Sequence, residues 1–245
     1  MDNELEIREC MATEEFSECV QIQREVFGLP EQELSPVRHF VVTKNAGGFA
    51  IGAFDGERLA GFVLSVPAFL QGEPAFYSHM TGVRQEYQSS GIGAKLKWAQ
   101  RARALAQNVK YIKWTFEPVK ARNAYFNLEK LGAIAQEYKP NFYGTDYATS
   151  RKVGLASDRL FAEWHLDSKK VRALAAGESF AEDHEPVSKI EIMNDWLGLV
   201  GSSPEEALAE QTRIRGEFET AFRLGLTARG FERHDRQPSF LLYES

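Results

Sequence analysis

The segment with the clearest chemical meaning runs from Gln88 to Ala94, where Gly91 and Gly93 stand at the start of a helical pattern. Glycine lets the backbone approach a ligand closely, and the first turn of a helix presents unpaired N–H groups and the positive end of its dipole. An anion is therefore expected here, and a phosphate or pyrophosphate fits best. The spacing matches neither the G-x-G-x-x-G dinucleotide fingerprint nor the G-x-x-x-x-G-K-[ST] nucleotide loop.

The pattern Gln88-x-x-Gly91-x-Gly93-Ala94 resembles the pyrophosphate loop of the GNAT superfamily, whose members take an acyl group from acyl-coenzyme A. The resemblance implies acetyl-CoA, or another short-chain acyl-CoA, as co-substrate. Backbone N–H groups of the loop would hold its pyrophosphate, and the preceding strand would pair with the pantetheine arm. The residues implied to bind the co-substrate are Met80, Thr81, Gly82, Val83, Gln88, Ser89, Ser90, Gly91, Ile92, Gly93, Ala94 and Asn123. Gly82 suits a close approach, although it could instead mark a β-bulge.

Transfer from a thioester to an amine requires a base, because an alkyl amine with a pKa near ~10.4 is protonated at pH 7. Glu117 is the first candidate, since it ends a predicted strand that in GNAT enzymes splays from its predecessor to open the catalytic cleft. It could equally cap the next helix or pair with Lys120 or Arg122. His79 is the second candidate, with an ordinary pKa near ~6.5. Its alternative is a hydrogen-bonded structural role.

For the proton donor, this sequence departs from the family pattern Asn-x-x-Ala-x-x-x-Tyr. In that pattern the tyrosine is the acid and stands four residues before a glycine. Counting back from Gly132 places Leu128 at the tyrosine position. Tyr125, three residues earlier, could replace the phenol or pack against the sheet. A thiol with a pKa near ~8.5 is a fair leaving group, so a donor contributes little, and water or Tyr143 could serve.

Periodicity and turn signals predict the elements that position these residues. Their order, β-α-(α)-β-β-β-loop-α-β-α-β over roughly residues 3–140, is that of the GNAT fold. Thr13 is the expected cap of the first helix, and Asp55-Gly56 the turn of a hairpin. The predicted strands are 5–10, 49–54, 58–66, 76–83, 111–117 and 133–138, and the later helices are 92–105 and about 120–131.

The last hundred residues also carry folding signals. Residues 138–147 are predicted to form an aromatic loop that shapes the acceptor pocket or covers a core edge. Strands are expected at 160–166, 187–193 and 240–243, a mobile acidic connection at 177–186, and a helix from the Ser203 cap to near Gly225. We therefore predict an α/β (α+β) protein with two parts. Residues 1–167 form a GNAT domain with a mixed, mostly antiparallel central sheet flanked by helices, and 168–245 an α+β extension docking on it.

The 245-residue chain is 43% hydrophobic with a net charge of −6, so it can supply a core but no basic surface in bulk. Nucleic-acid binding is not expected. No apolar run approaches the ~18 residues of a membrane span, and the N-terminus lacks a signal-peptide core. Cys10 and Cys19 have no metal-ligand spacing, which predicts buried thiols, no metal and a cytoplasmic location. The basic side chains of the 92–105 helix either meet the 3'-phosphate of CoA or solvate its outer face: Lys95, Lys97, Arg101 and Arg103.

Three interpretations of function follow. The favoured one is transfer of an acetyl or other short acyl group from acyl-CoA to a primary amine of a small molecule, with a homodimer as an open option. The second is a catalytically silent CoA-binding or sensing protein, for which the missing tyrosine is the main argument. The third is an unrelated phosphate-binding α/β protein that keeps the anion loop alone.

Overall fold

The structure, a computed structural model, describes residues 5–147 and 153–244. The chain divides into two compact units, residues 1–113 and 114–245, and each is described by itself. The described ranges hold ten strands and seven α-helices, and the strand pairs are mostly antiparallel. The predicted mixed α/β class is therefore confirmed.

The first unit contains four complete strands and the start of a fifth, in the order β1-β2-β3-β4-β5. The pairs β1–β2, β2–β3 and β3–β4 are antiparallel, whereas β4 and β5 run parallel. Its elements are β1 (Glu6–Glu9), α1 (Thr13–Phe27), α2 (Val37–Asn45), β2 (Phe49–Asp55), β3 (Arg58–Leu70), β4 (Glu73–Val83), α3 (Ile92–Ala106) and β5 (Tyr111–Phe116).

Helix α1 begins where predicted but is capped differently. The N-cap residue is Ala12, not Thr13, and the Glu15 carboxylate accepts hydrogen bonds from the backbone N–H groups of Met11 (2.6 Å) and Ala12 (3.0 Å). A carboxylate in the first turn of the helix thus accepts from the backbone N–H groups at the N-cap and just before it, which is the carboxylate half of a capping box.

Both cysteines, Cys10 and Cys19, are buried free thiols, as predicted. Burial raises the pKa of the Cys19 thiol well above its ordinary value, and a hydrogen bond with Cys10 adds to the effect. Both side chains pack within the hydrophobic core of the first unit, with aromatic neighbours such as Phe16 and Phe40.

The predicted hairpin at Asp55-Gly56 is present, with Gly56 at a φ of 60°. A second hairpin is longer than predicted, since β3 extends to Leu70 and β4 starts at Glu73. Its turn uses Gln71 and Gly72, both at positive φ, which suits the right-handed twist of the flanking strands. Pro67 and Pro74 lie in these extensions, and because proline is uncommon inside strands, the sequence pattern did not predict that the strands continue there.

The second unit contains the end of β5 and five further strands, in the order β5-β7-β6-β9-β10-β8. Strands β6 and β7 form an antiparallel pair, as do β6 and β9, β9 and β10, and β10 and β8. Its elements are α4 (Ala121–Tyr125), a π-helical turn (Phe126–Lys130), β6 (Ile134–Lys139), β7 (Arg159–His165), α5 (Lys169–Ala175), β8 (Ser188–Glu191), α6 (Trp196–Ser202), α7 (Pro204–Arg223), β9 (Leu226–Glu232) and β10 (Ser239–Glu244).

The regular elements of this unit follow their sequence signals. Strand β7 buries Leu160, Ala162 and Trp164 on one face, and α7 starts with Ser203 as N-cap and Pro204 in the first turn. The short helices α5 and α6 were not predicted, because seven residues carry too little periodicity to stand out. The single helix expected over 120–131 is instead a short α-helix followed by the π turn.

Candidate active site

The connection from β4 to α3 has the backbone of an anion-binding loop. Ser89 and Gly91 have positive φ angles of 64° and 83°, and α3 starts directly after Gly91 without a side-chain cap. The backbone N–H groups of residues 89–93 donate to no acceptor in the described part of the chain, whereas the Ala94 N–H donates to Gly91 O at 3.0 Å. The unused donors at this helix start are therefore available to ligand oxygens.

Gly93 has no packing reason inside the protein to be a glycine. A Cβ atom at this position would meet nothing within 4 Å, and the residue lies outside the left-handed region. Glycine in a helix is unfavourable by about 1 kcal/mol relative to alanine. The position therefore fits a close approach by a group from outside the chain, as the predicted pyrophosphate contact requires.

Two side chains of the loop bond back to the loop itself. Gln88 Nε2 donates to the Val83 carbonyl at 2.9 Å, and Ser90 Oγ donates to the Tyr87 carbonyl at 2.6 Å. These bonds fix the loop's shape, so contact with a ligand is left chiefly to the backbone of Ser89 to Ala94.

Strand β4 carries the residues predicted to run beside the pantetheine arm, Met80 to Val83. In the first unit its pairing with β5 covers residues 75–77 and then stops. Gly82 pairs in register with Phe62, and a Cβ atom there would lie 3.0 Å from the Ile22 side chain. Gly82 thus occupies a tightly packed position in the regular part of the strand and is not a bulge, so that alternative was wrong.

The bulge of β4 lies at His79. Leu64 of β3 pairs with Met80 and Ser65 pairs with Ser78, which leaves His79 as the extra residue. A bulge redirects a side chain and disturbs the local hydrogen-bond ladder. His79, the second candidate base, therefore occupies the irregular position of this strand.

A small polar cluster surrounds the His79 imidazole. Its Nε2 lies 3.0 Å from Ser35 Oγ, and its ring centroid is 5.5 Å from that of His39. Although the residue is exposed, protein packed around the ring displaces part of its water, and this desolvation, with the nearby His39 as second cause, lowers the pKa of His79 below its ordinary value. The buried Nε2 of His39 has no hydrogen-bond partner in the described part of the chain. The cluster therefore combines a neutral base at pH 7 with an unsatisfied polar atom.

Gln23 holds Ser35 in place. This fully buried side chain accepts a hydrogen bond from the Ser35 N–H (2.8 Å) and donates one to the Ser35 carbonyl (3.0 Å). Sequence reasoning missed this cluster, because Ser35 and His39, which contact His79, and Gln23, which holds Ser35, come together only through packing of α1 and α2.

Lys97 also differs from its prediction. Its side chain is not on the outer face of α3 but buried, and its ammonium nitrogen lies 3.0 Å from Ser78 Oγ and 2.7 Å from Gln100 Oε1. Gln100 Nε2 in turn donates to Ser65 Oγ at 2.8 Å. Burial lowers the pKa of Lys97 well below its ordinary value. This network joins α3 to Ser65 of β3 and Ser78 of β4, the register pair next to the β4 bulge.

Glu117 lies directly after β5 in the second unit and is half-buried. Its carboxylate is 2.6 Å from the Lys120 ammonium, which is one of the alternatives drawn from the sequence. The role of Glu117 as a base stays a prediction.

Tyr125 and Asn123 both lie on α4. The Arg233 guanidinium stands 4.4 Å from the centroid of the Tyr125 ring, and the Lys130 ammonium 5.5 Å from it. Asn123 is exposed, and its backbone N–H donates to the Lys120 carbonyl at 3.0 Å. Their roles as proton donor and co-substrate ligand stay predictions.

The position expected to carry the family's phenol is filled by Leu128, which is fully buried in the π turn. Beside it, Asn127 is also buried, and its Oδ1 accepts a hydrogen bond from Trp114 Nε1 at 3.3 Å. This turn therefore holds core contacts. Elsewhere in the unit, Tyr143 of the aromatic loop has its hydroxyl 3.3 Å from Thr115 Oγ1.

In residues 5–147 and 153–244, no group of three or more His, Cys, Asp or Glu side chains could hold a metal ion. Within the same ranges, no helix has the length and apolar character needed to span a membrane.

Comparison with known proteins supplies independent findings. No curated protein matches the chain by sequence. Among solved structures, a GNAT family acetyltransferase from Elizabethkingia anophelis with acetyl-CoA bound is 17% identical, with a TM-score of 0.51 over 68% of this chain and 100% of that one. The ribosomal-protein-S18-alanine N-acetyltransferase from Escherichia coli is 13% identical, with a TM-score of 0.52 over 74% of this chain and 97% of that one.

A third structure, aminoglycoside 6'-acetyltransferase type Ii, is 16% identical, with a TM-score of 0.52 over 67% of this chain and 99% of that one. At these identities the structures show a shared fold. The model of the acetyltransferase (GNAT) family matches residues 11–133, which is half of the chain. That span contains the 88–94 loop, β4 with its bulge, and α4. The chain belongs to the GNAT acetyltransferase family.

Proposed function

We propose that this protein transfers an acetyl or other short acyl group from acyl-CoA to a primary amine of a small molecule. The observation that carries the proposal is the 88–94 loop, whose free N–H groups and packing-free Gly93 suit a pyrophosphate. Two enzymes of the same fold are named for acceptors that carry a primary amine: one for an aminoglycoside and the other for an alanine of a ribosomal protein.

His79 is the proposed general base. Attack on a thioester requires a neutral amine, so a base must accept a proton from the ammonium form before the attack or from the nitrogen as the amide forms. The lowered pKa of His79 keeps the imidazole neutral at pH 7, and its bond to Ser35 orients the ring. Since only the neutral ring accepts a proton, kcat/KM should rise with pH and reach half of its plateau below ~6.5.

The acceptor amine is proposed to lie near the His79 cluster. The buried, unsatisfied Nε2 of His39 and the Ser35 hydroxyl offer polar partners to a ligand that carries an amine and further polar groups. Asn123 and Met80 to Val83 are proposed co-substrate contacts. Glu117 is the second candidate base and Tyr125 the candidate donor to the thiolate. A thiol of pKa near ~8.5 leaves readily without strong acid assistance.

A catalytically silent CoA-binding protein is the second candidate function. The observation that favours it is Leu128, an apolar and fully buried residue where the family pattern has its tyrosine. On this interpretation the 88–94 loop binds CoA, but no acyl group is transferred.

The test measures release of free thiol from acetyl-CoA against a panel of primary amines, alongside CoA binding by calorimetry. We expect amine-dependent thiol release in the wild type. His79→Gln should lower kcat by about 100-fold or more with CoA affinity unchanged, as for loss of a general base. The matched control, His184→Gln, changes an exposed histidine and should retain wild-type kcat.

Each failure has a separate meaning. CoA binding without thiol release for any amine would support the silent interpretation. Equal kcat for His79→Gln and the wild type would exclude His79 as base while leaving acyl transfer in place. No CoA binding would exclude both functions.

A further inference from the structure

A cavity of about 580 Å³ lies within the second unit. It is formed by α4, the end of β9 and the connection from β9 to β10. Its apolar surface comes from the buried residues Ala121, Phe231 and Pro238, together with the Tyr125 ring. This volume is in the range of small-molecule sites, which are typically ~300–1,000 Å³.

The charged side chains on the cavity wall are mainly cationic. Arg122 and Arg233 both line it, and neither has a carboxylate within ion-pair distance in the described part of the chain. Three other arginines in the described part of this unit are ion-paired, Arg172, Arg213 and Arg215, the last with Asp158 at 2.9 Å. Asp235 also lines the cavity, so two guanidiniums face one carboxylate. In a chain of net charge −6, this is a local cationic site.

The two arginines differ in how they are held. The Arg233 guanidinium stands 4.4 Å from the Tyr125 ring centroid, and a cation–π contact of this kind orients its plane. A guanidinium has five N–H donors that point outward in its own plane, and a ring lying over its face accepts no hydrogen bond from them. Arg233 is therefore pre-positioned with its donors available to an oxyanion.

His234 adds a third donor. Its Nδ1 accepts hydrogen bonds from the backbone N–H groups of Arg236 (3.3 Å) and Gln237 (3.1 Å). In a neutral imidazole this assigns the proton to Nε2, which is then a donor. The turn itself is fixed by Asn194, whose Nδ2 donates to the Asp235 carbonyl at 3.1 Å.

We propose that this cavity binds a phosphate group, either free or as the monoester of a small organic molecule. Arg122, Arg233 and His234 are three donor side chains on the wall of one cavity, which suits the several oxygens of a phosphate better than the two of a carboxylate. In a monoester, Tyr125 and Phe231 would contact the organic part. The proposal concerns a ligand beyond the acyl-CoA and the amine of the proposed function, and it places the Tyr125 ring at this ligand in place of a role at the thiolate.

The experiment is calorimetric titration of the full chain with inorganic phosphate and with phenyl phosphate, at constant ionic strength set by NaCl. Each titration is run with and without saturating CoA, so that phosphate bound by the 88–94 loop is separated. Arg233→Gln should weaken phosphate binding by about tenfold or more, as for loss of one charged anchor. Arg233→Lys, which keeps the charge, should fall between it and the wild type.

The matched control is Arg236→Gln, which removes an arginine from the same turn but not from the cavity wall. Arg233 and Arg236 are both exposed, so the two variants differ chiefly in whether the lost charge lines the cavity, and Arg236→Gln should leave phosphate affinity within about twofold of the wild type. Arg122→Gln is the second test variant if Arg233→Gln folds poorly, because Arg122 is exposed.

Tighter binding of phenyl phosphate than of phosphate would support an organic monoester, and equal affinity would support free phosphate. Equal losses in Arg233→Gln and Arg236→Gln would overturn the proposal. It would also be overturned if no phosphate binding exceeded the NaCl background, or if CoA abolished the Arg233-dependent part, since that part would then belong to the co-substrate.

Discussion

Two strand-to-helix connections of this protein differ in how they present polar groups. Between β4 and α3, residues 84–91 make a long turn with Ser89 and Gly91 at positive φ, and a regular 15-residue helix follows. The connection between β5 and α4 is shorter, residues 117–120, and its Pro118 and Val119 are buried. The five-residue helix α4 follows it and continues into a π turn. The first connection exposes backbone donors. The second uses its residues for ion pairs and core packing.

The difference separates two kinds of site. Backbone N–H groups bind an anion regardless of side-chain identity, so the first connection requires glycines and little else. The second would act through particular side chains, and Glu117 has a structural partner instead, as does Leu128 in the π turn that follows α4. The following variants test whether this division is correct.

The largest effect should come from Gly93→Val. A Cβ at this position meets no protein atom within 4 Å, so the added side chain points into the space proposed for the pyrophosphate. We expect CoA binding to weaken by about 100-fold, or about 2.7 kcal/mol. Calorimetry with CoA measures it, and Gly216→Val is the control, because Gly216 of α7 is equally open. Unchanged affinity in Gly93→Val would remove the loop from the CoA site.

The next effect concerns the helix of the first connection. The depressed pKa of Lys97 means that the unfolded chain binds more protons than the folded one, between the lowered folded pKa and the ordinary value near ~10.4. Stability therefore rises with pH across this window, by up to ~1.4 kcal/mol per pH unit. Below the folded pKa both states are protonated and the contribution no longer changes.

Lys97→Met removes this titration while filling a similar volume. We expect the free energy of unfolding in urea to depend less on pH between 7 and 10 than in the wild type, and to be higher at pH 7, since a buried charge or its deprotonation no longer costs energy. Lys95→Met, at an exposed position of α3, is the control. Identical pH slopes for the wild type and Lys97→Met would show that Lys97 is ionised equally in both states.

The sequence was informative for the first connection and much less for the second. Gly91 and Gly93 could be interpreted because their effect on the backbone is local. The cluster at His79 depends on a bulge and on Ser35, 44 residues away, so no spacing in the sequence indicates it. Lys97 contradicted the rule that lysine is exposed, because two neutral partners, Ser78 on β4 and Gln100 on α3 itself, accept hydrogen bonds from its buried ammonium group.

The second connection shows a similar limit. Helical periodicity over 120–131 was interpreted as one α-helix, and a π turn shifts the register of every later side chain. Counting back from Gly132 therefore identified the residue at the tyrosine position but not its environment. Which residues of the second unit would touch a substrate could not be derived from spacing.

A smaller effect should follow from Asn127→Leu in the π turn. The Trp114 indole N–H donates to Asn127 Oδ1 in a buried setting, and removing an acceptor there costs about 1–3 kcal/mol. Leucine recovers part of this by apolar burial, so we expect a net loss of about 1 kcal/mol in urea denaturation. Asn123→Leu, an exposed change on the same segment, should leave stability unaltered. Equal stability of the two variants would mean that the buried bond contributes nothing.

The smallest effect is expected for Glu117→Gln, which tests the second connection directly. The carboxylate already contacts the Lys120 ammonium at 2.6 Å, and both side chains are partly exposed, so the pair contributes no more than about 1 kcal/mol to stability. If the second connection is chiefly structural, kcat in the thiol-release assay should fall by less than about threefold, against about 100-fold for His79→Gln. Lys120→Gln removes the same ion pair while keeping the carboxylate, and it should match Glu117→Gln. A collapse of kcat in Glu117→Gln alone would assign the base to the second unit and reverse the comparison, because chemistry would then depend on a side chain already engaged in an ion pair.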